Sequence, residues 1–166
     1  MAAAAVPSGL TVRKAVEADV PTILGLIRGI AEFEQLAHEV SATEALLRTH
    51  GFGARPIFEV LIAERDRPVG FALYFFTFST FKARPTLYLE DLFVVPAERG
   101  NGVGRRLLAE LARIAIEREC GRMEWSVLDW NPARDFYFKL GAVAMDEWTV
   151  FRMTPETFGR LAEETR

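Results

Sequence analysis

Two carboxylates and three glycines stand close together in the segment 87–115, LYLEDLFVVPAERGNGVGRRLLAELARIA, and each group suggests a chemistry. Glu90 and Asp91 interrupt an apolar run, where a buried carboxylate is costly unless it is paired or used, for example to accept a proton. Three glycines follow at every second position, at Gly100, Gly102 and Gly104. Before a helix, glycines leave the unpaired N–H groups of the first turn accessible to an anion such as a phosphate.

The glycine loop fits neither of two familiar phosphate-binding templates. The P-loop needs a lysine and then a serine or threonine after its last glycine, but Arg105 and Arg106 follow here. The dinucleotide-binding fingerprint needs its third glycine one position later, and an acidic residue about 20 residues further on. On spacing alone, the loop is therefore either an anion site or a tight turn that uses glycine for positive φ.

The flanking pattern predicts a mixed sheet with helices on its faces. Apolar residues at helical spacing predict helices over 17–36, 41–51, 102–118, 130–141 and 155–164. Apolar runs predict strands over 10–15, 57–64, 69–78, 87–95, 122–129 and 147–153, with an antiparallel hairpin across the polar turn 65–68. The predicted helix N-caps are Asp19, Ser41, Asn131 and Thr154.

The composition excludes several classes of protein. A chain of 166 residues suffices for one domain, which we place at 10–166 after a disordered start at 1–9. The net charge of −3 gives no electrostatic basis for binding nucleic acid. The single cysteine, Cys120, allows no intrachain disulfide and is expected to be a packed thiol. Neither a membrane span nor a signal peptide is recognisable, so a cytoplasmic protein is predicted.

The pattern Arg-x-x-Gly-x-Gly after an apolar strand, joined to YLEDLFV before it and WNPARDFY after it, resembles the GCN5-related N-acetyltransferase (GNAT) family. The resemblance covers about 10–153 and is strongest to the spermidine/spermine (diamine) and thialysine acetyltransferases. Further segments that carry it are FGARPIFEVLIAE, VGFALYFFTFSTF and WSVLDWNPARDFYFKLGA. It implies the GNAT fold, an α/β (α+β) domain with one mixed, mostly antiparallel sheet flanked by helices on both faces.

The resemblance implies acetyl-CoA as the cofactor. Backbone N–H groups of the glycine loop would hold the pyrophosphate, and the strand before the loop would pair with the pantetheine arm. One N–H group of that strand would bind the thioester oxygen, as in an oxyanion hole. The implied cofactor contacts are Leu92, Phe93, Val94, Arg99, Gly100, Asn101, Gly102, Val103, Gly104, Arg105, Asn131, Pro132, Ala133, Arg134 and Tyr137.

The resemblance also implies two catalytic residues. Alkyl amines have a pKa near the value of about 10.4 for lysine, so the substrate must lose a proton before it attacks. Glu90 is expected to accept that proton, and Tyr137 to protonate the departing thiolate of CoA. Strand alternation would place Glu90 and Asp91 on opposite faces, with Asp91 as a substrate or water contact. The alternatives are an ion pair for Glu90 and core packing for Tyr137.

The amine-binding end is expected to be acidic and aromatic, which suits a cationic amine. The residues implied there are Phe33, Glu34, Glu90, Asp91, Asp146, Glu147 and Trp148. The polyamine enzymes carry an aspartate and a tryptophan in the loop where this chain has FSTFKARP, which instead adds Lys82 and Arg84. A short diamine, thialysine or another amino acid with a side-chain amine is therefore at least as well supported as a long polyamine.

These residues predict a direct acetyl transfer to a small primary amine in a ternary complex, without a metal ion. Two alternatives remain: an acetyltransferase for protein or peptide amines, and a non-catalytic module that binds acyl-CoA. Relatives in the family are commonly homodimers, so a homodimer is expected as well. Membranes and nucleic acids are not expected as partners.

Overall fold

The computed structural model describes residues 9–165, so the expected disordered start lies outside the described residues except for Gly9. The chain divides into two compact units, Met1–Ser126 and Val127–Arg166. The first unit contains all the strands that are described. The second contains two helices and the segment between them.

The first unit is built on a five-stranded sheet in the order β1-β2-β3-β4-β5. Its strands are β1 (Thr11–Lys14), β2 (Glu59–Glu64), β3 (Pro68–Ser79), β4 (Arg84–Val94) and β5 (Arg122–Trp125). The pairs β1–β2, β2–β3 and β3–β4 are antiparallel, and β5 runs parallel to β4. The predicted mixed, mostly antiparallel sheet is therefore confirmed, although β5 ends four residues earlier than predicted, at 125 instead of 129.

The helices of the first unit are α1 (Val20–Phe33), α2 (Glu44–Leu47) and α3 (Val103–Glu117). A π-helical turn, Arg48–Phe52, continues α2. The second helix begins differently from the prediction, because the hydroxyl of Thr43, not Ser41, accepts the N–H of Leu46. Asp19 stands at the N-cap of α1 as predicted. Its carboxylate, however, accepts from Arg13 and from the N–H of Val16.

The helices pack on both faces of this sheet. The side chains of α1 form one core with alternate strand residues, including Ile62, Phe71, Leu73 and Phe93. On the other face, a Cβ on Gly70 would come within 3.4 Å of the Val103 side chain at the start of α3. Strand alternation explains this division, since Gly70 and Phe71 point to opposite faces. The sheet thereby holds the end of β4 between the end of α1 and the beginning of α3.

The second unit contains α4 (Ala133–Lys139) and α5 (Pro155–Glu163). Thr154 caps α5 as predicted, accepting the N–H of Thr157. The strand predicted over 147–153 is wrong, because residues 147–153 are irregular and exposed. A segment with a period-2 pattern forms a strand only if a neighbouring strand completes its backbone hydrogen bonds. No described strand pairs with residues 147–153.

Candidate active site

A β-bulge in β4 sets the positions of the two strand carboxylates. Asp91 is paired with Leu73 and Leu89 with Tyr74, which leaves Glu90 as the extra residue of β4. A bulge interrupts the simple alternation of side chains and re-aims them locally. The expectation that Glu90 and Asp91 alternate between opposite faces therefore does not describe this segment. Asp91 stands opposite Leu73, which belongs to the core formed with α1.

Asp91 is the carboxylate whose pKa the structure raises most clearly. Burial, followed by the charges of Glu90 and Glu34, raises the pKa of Asp91 to about 6. Burial also raises the pKa of Glu34. Glu90, in contrast, is exposed. A carboxylate with a pKa near the working pH, such as that of Asp91, is suited to accept and release a proton.

Three carboxylates meet here because the end of α1 packs against β4. Glu34 is the C-cap of α1, and Glu90 and Asp91 follow one another in β4. We call Glu34, Glu90 and Asp91 the acid cluster. Within residues 9–165 none of the three forms an ion pair with a basic side chain. The cluster is therefore a site of uncompensated negative charge, which attracts a cation.

The glycine loop has the backbone geometry of an anion site. Gly100 and Gly102 adopt φ of +77° and +78°, which residues with a Cβ disfavour. Gly102 is the N-cap of α3, and the N–H of Arg106 makes the first helical hydrogen bond to its carbonyl. The N–H groups of Val103, Gly104 and Arg105 therefore have no acceptor within the helix, and the positive end of the helix dipole lies beside them.

One edge of β4 is open just before the glycine loop. The pairing of β4 with β5 ends at Leu89 and Trp125, so the edge of β4 over 90–94 has no strand partner on the β5 side in the described part of the chain. Open strand backbone offers N–H and C=O groups to an extended ligand. Together, the loop amides and this edge fit a diphosphate with an amide-containing arm. The backbone expected to hold such an arm, at Leu92, Phe93 and Val94, lies on this edge.

Arg99 and Phe33 are in contact, which the sequence did not predict. The guanidinium carbon of Arg99 lies 4.4 Å from the ring centroid of Phe33. One face of the Phe33 ring therefore already has a cation, although the ring was expected to meet the substrate amine. No local sequence signal indicates this contact, since the two residues belong to different elements.

In the second unit, Asn131 positions the start of α4. Its side chain is 7% exposed, and its Oδ1 accepts the N–H of Ala133 over 2.9 Å. Arg134 forms an ion pair of 3.0 Å with Asp129, so its charge is at least partly compensated. Tyr137 lies on α4 with its ring centroid 5.4 Å from that of Phe136. The N-cap of α4 is Pro132, one residue later than the predicted cap Asn131, although the Asn131 side chain still accepts an N–H group at the helix start. The cofactor contact predicted for Arg134 stays a prediction.

The other predicted amine contacts of the second unit lie in the irregular segment before α5. Asp146, Glu147 and Trp148 are exposed there, and the N–H of Trp148 donates to the carbonyl of Met145. The Trp148 side chain is 74% exposed. The role of this segment in amine binding therefore stays a prediction.

Other kinds of site receive no support from the described residues. Within 9–165 no group of three or more His, Cys, Asp or Glu side chains is placed to bind a metal ion. Burial raises the pKa of the Cys120 thiol, which disfavours the thiolate that a nucleophile would need. In the same part of the chain, no helix combines the length and the apolar character needed to cross a bilayer.

The sheet, the glycine loop and the open edge of β4 define a domain suited to hold a diphosphate with an extended arm, and comparison with known families identifies its class. Residues 27–142 match the family model described as "Acetyltransferase (GNAT) family". The chain therefore belongs to the GNAT family and is an acetyltransferase. The resemblance inferred from the sequence motifs is confirmed.

Several relatives resemble the chain over most of its length. The bovine thialysine N-epsilon-acetyltransferase is 40% identical, with 91% of this chain and 96% of the relative covered. An L-ornithine N5-acetyltransferase from Arabidopsis thaliana is 30% identical, over 86% of this chain and 83% of the relative. Among solved structures, an integron cassette protein from the mobile metagenome of V. cholerae has a TM-score of 0.78 at 26% identity, with 93% of this chain and 98% of that one covered.

Proposed function

We propose that this protein transfers the acetyl group of acetyl-CoA to a primary amine of a small cationic substrate in a ternary complex. The observation that carries this proposal is the acid cluster, in which Asp91 is desolvated and no basic side chain among the described residues forms an ion pair with the three carboxylates. An alkylammonium substrate supplies the missing positive charge and must also lose a proton to react. The cluster is chemically suited to both tasks.

The cofactor and this chain divide the chemistry between them. Acetyl-CoA, when bound, supplies the acetyl thioester. The amides at the start of α3 would hold its diphosphate, and the open edge of β4 would align its arm. Glu90 contacts the substrate ammonium, and Asp91 accepts its proton. Burial supports Asp91 as the acceptor more strongly than the exposed Glu90. Tyr137 donates a proton to the departing sulfur.

The substrate class follows from charge and size. Two of the relatives are named as acetyltransferases of thialysine and of L-ornithine, amino acids that carry an amine on a short side chain. Lys82 in the turn between β3 and β4 and Arg84 at the first position of β4 are exposed, together with Phe81, which is 97% exposed. A long polyamine that reached this turn would meet two positive charges. We therefore propose an amino acid or diamine with a short aminoalkyl chain as the substrate.

An amine panel tests this function. Consumption of acetyl-CoA is measured with thialysine, L-ornithine, 1,3-diaminopropane, spermine and a peptide with a free N-terminus. Butylamine, which has a single amine on an uncharged alkyl chain, is measured as well. We expect thialysine, ornithine or the diamine to exceed spermine and butylamine by about 10-fold or more in kcat/KM, equivalent to about 1.4 kcal/mol of charge recognition. A preference for the peptide would favour the protein acetyltransferase instead. Binding of CoA without turnover on any amine would favour a non-catalytic module.

The glycine loop permits a separate test of the cofactor site. The variant Gly102→Ala is expected to weaken CoA binding by about 10-fold or more, because alanine resists the left-handed conformation of this N-cap by about 1–2 kcal/mol and so displaces the loop amides. Calorimetry with CoA measures the loss. Gly9→Ala is the matched control, since Gly9 has a similar φ of +79° outside the loop. Equal CoA affinity in wild type and Gly102→Ala would contradict the diphosphate assignment.

We further propose that the protein is a cytoplasmic homodimer without nucleic-acid or membrane partners. The second unit exposes several large apolar side chains, including Val143, Val150 and Phe151, which are 80%, 80% and 92% exposed. Such exposure is typical of a surface that another chain covers. A single cysteine is compatible with a reducing compartment, and a net charge of −3 disfavours polyanionic partners.

A further inference from the structure

The side chain of Arg99 connects three parts of the first unit. Its Nε–H donates to the carbonyl of Val94, the last residue of β4, over 3.0 Å. Its guanidinium carbon lies 4.4 Å from the ring centroid of Phe33, the last residue of α1, and 5.6 Å from that of Phe93. A cation above an aromatic face is attracted by the quadrupole of the ring. Arg99 thus links the end of α1 and the end of β4 to the first residue of the glycine loop.

The end of α1 has a conformation that needs support from its surroundings. Gln35 adopts a φ of +61°, which is unfavourable for a residue with a side chain. On the same helix, Gly29 lies so close to β4 that an added Cβ would be 2.8 Å from the Phe93 ring. The Phe93 ring therefore packs directly against the backbone of α1 at Gly29, one turn before the helix ends. Arg99 holds its last residue, Phe33, against the loop.

Arg99 also carries a charge that the described residues leave without a carboxylate partner. A diphosphate bound by the loop amides would bring negative charge to the segment that Arg99 begins. Coulomb attraction would then act on a side chain that is already stacked on Phe33. Cofactor binding would in this way restrain Arg99, and through it the end of α1.

We propose that Arg99 is a positioning residue that couples occupancy of the glycine loop to amine binding at the acid cluster. This inference rests on the proposed function. Glu34 directly follows Phe33, and its charge acts on Asp91. When Phe33 is held, the position of Glu34 relative to Asp91 is held too. The cluster is then arranged for an ammonium ion mainly when the cofactor is present, and the two ligands bind with positive cooperativity.

Calorimetry with CoA and the best amine of the panel measures this coupling. CoA lacks the acetyl group, so no turnover occurs. In the wild type we expect the amine Kd to fall about 5-fold or more when CoA is saturating, the lower end of common coupling strengths. Arg99→Met and Phe33→Leu should each reduce this ratio to below about 2-fold. The double variant should lose no more, because both changes remove the same contact.

A conservative variant separates charge from stacking. Arg99→Lys keeps the positive charge but loses the planar face and the Nε–H donor. We expect its coupling ratio to stay below about 2-fold. The ratio compares amine binding with and without CoA in the same variant, so a change in CoA affinity does not affect this test as long as CoA is saturating. Arg118→Met is the matched control, since the Arg118 guanidinium lies 5.5 Å from the Phe76 centroid at the other end of α3. It should retain the wild-type ratio.

The outcomes separate this inference from the proposed function. If the wild type binds CoA and the amine without coupling, or if Phe33→Leu retains the coupling, the inference is wrong and the proposed function stands. A variant with reduced thermal stability but a wild-type coupling ratio would give Arg99 only a scaffold role, which also overturns the inference. Failure of the wild type to bind CoA would overturn both. If Arg99→Met does not fold, the coupling ratio of Phe33→Leu tests the inference.

Discussion

The variant Asp91→Asn is expected to be more stable than the wild type at pH 8 and nearly inactive. Burial and the neighbouring acids raise the pKa of Asp91 from 3.8 to about 6. A carboxyl group whose pKa is raised on folding destabilises the folded state wherever it is ionised. Above pH 6 the penalty amounts to up to about 3 kcal/mol, from 1.36 kcal/mol for each pKa unit. Asparagine has no charge to desolvate and therefore avoids it.

The sign of this effect fixes its pH dependence. As the pH falls through 3.8, the carboxyl group becomes protonated in the unfolded chain as well as in the folded one, so the stabilities of wild type and variant should converge near pH 4 and below. The advantage of Asp91→Asn grows between about pH 4 and 6 and is complete above that. For a chain of this size it corresponds to a rise in Tm of roughly 5–10 °C at pH 8. Thermal unfolding followed by circular dichroism at pH 4 and pH 8 measures it.

Activity should change in the opposite direction. If Asp91 accepts the ammonium proton, kcat/KM of the wild type falls as pH drops through about 6, because the protonated acid cannot accept another proton. Asp91→Asn should lack this limb and lose about 10²- to 10⁴-fold in kcat. Asp66→Asn is the control, since Asp66 is exposed in the turn between β2 and β3. A variant with wild-type kcat, or with an equal stability gain at both pH values, would contradict the assignment.

The local features of the site were predictable from sequence because each depends on a few adjacent residues. Gly102 and Gly104 at the start of a helix pattern indicated free backbone amides, and the structure has Gly102 in the left-handed region at the N-cap of α3. Thr154 before Pro155 indicated a helix start in the same way. Ser41 failed because Thr43, two positions later, offers an equivalent hydroxyl. Sequence spacing does not rank two caps of similar strength.

The features that sequence did not predict depend on pairing between distant segments. The bulge at Glu90 exists because of the register between β3 and β4, and a single strand carries no information about its register. The contact of Arg99 with Phe33 joins the glycine loop to the end of α1. The strand predicted over 147–153 failed for a related reason, since alternation does not reveal whether a partner strand is present. Asp91 was consequently assigned a lesser role than its burial supports.

The variant Tyr137→Phe is expected to lower kcat by about 10²-fold or more while leaving CoA affinity nearly unchanged. The phenol is proposed to donate a proton to the departing sulfur, and loss of an acid–base group commonly costs this factor. Phenylalanine keeps the ring, so its packing beside Phe136 on α4 is retained. Single-turnover kinetics with acetyl-CoA measures the chemical step itself and excludes a masking effect of product release.

A second tyrosine shows how a purely structural phenol would behave. The Tyr74 hydroxyl donates to the Glu59 carboxylate over 3.2 Å, and its ring is fully buried in the first unit. Tyr74→Phe should therefore reduce the free energy of unfolding by about 1 kcal/mol, the usual net value of a hydrogen bond, with kcat close to that of the wild type. If Tyr137→Phe shows this same pattern, with lower stability and an unchanged single-turnover rate, Tyr137 is a packing residue. Another proton donor must then serve the leaving sulfur.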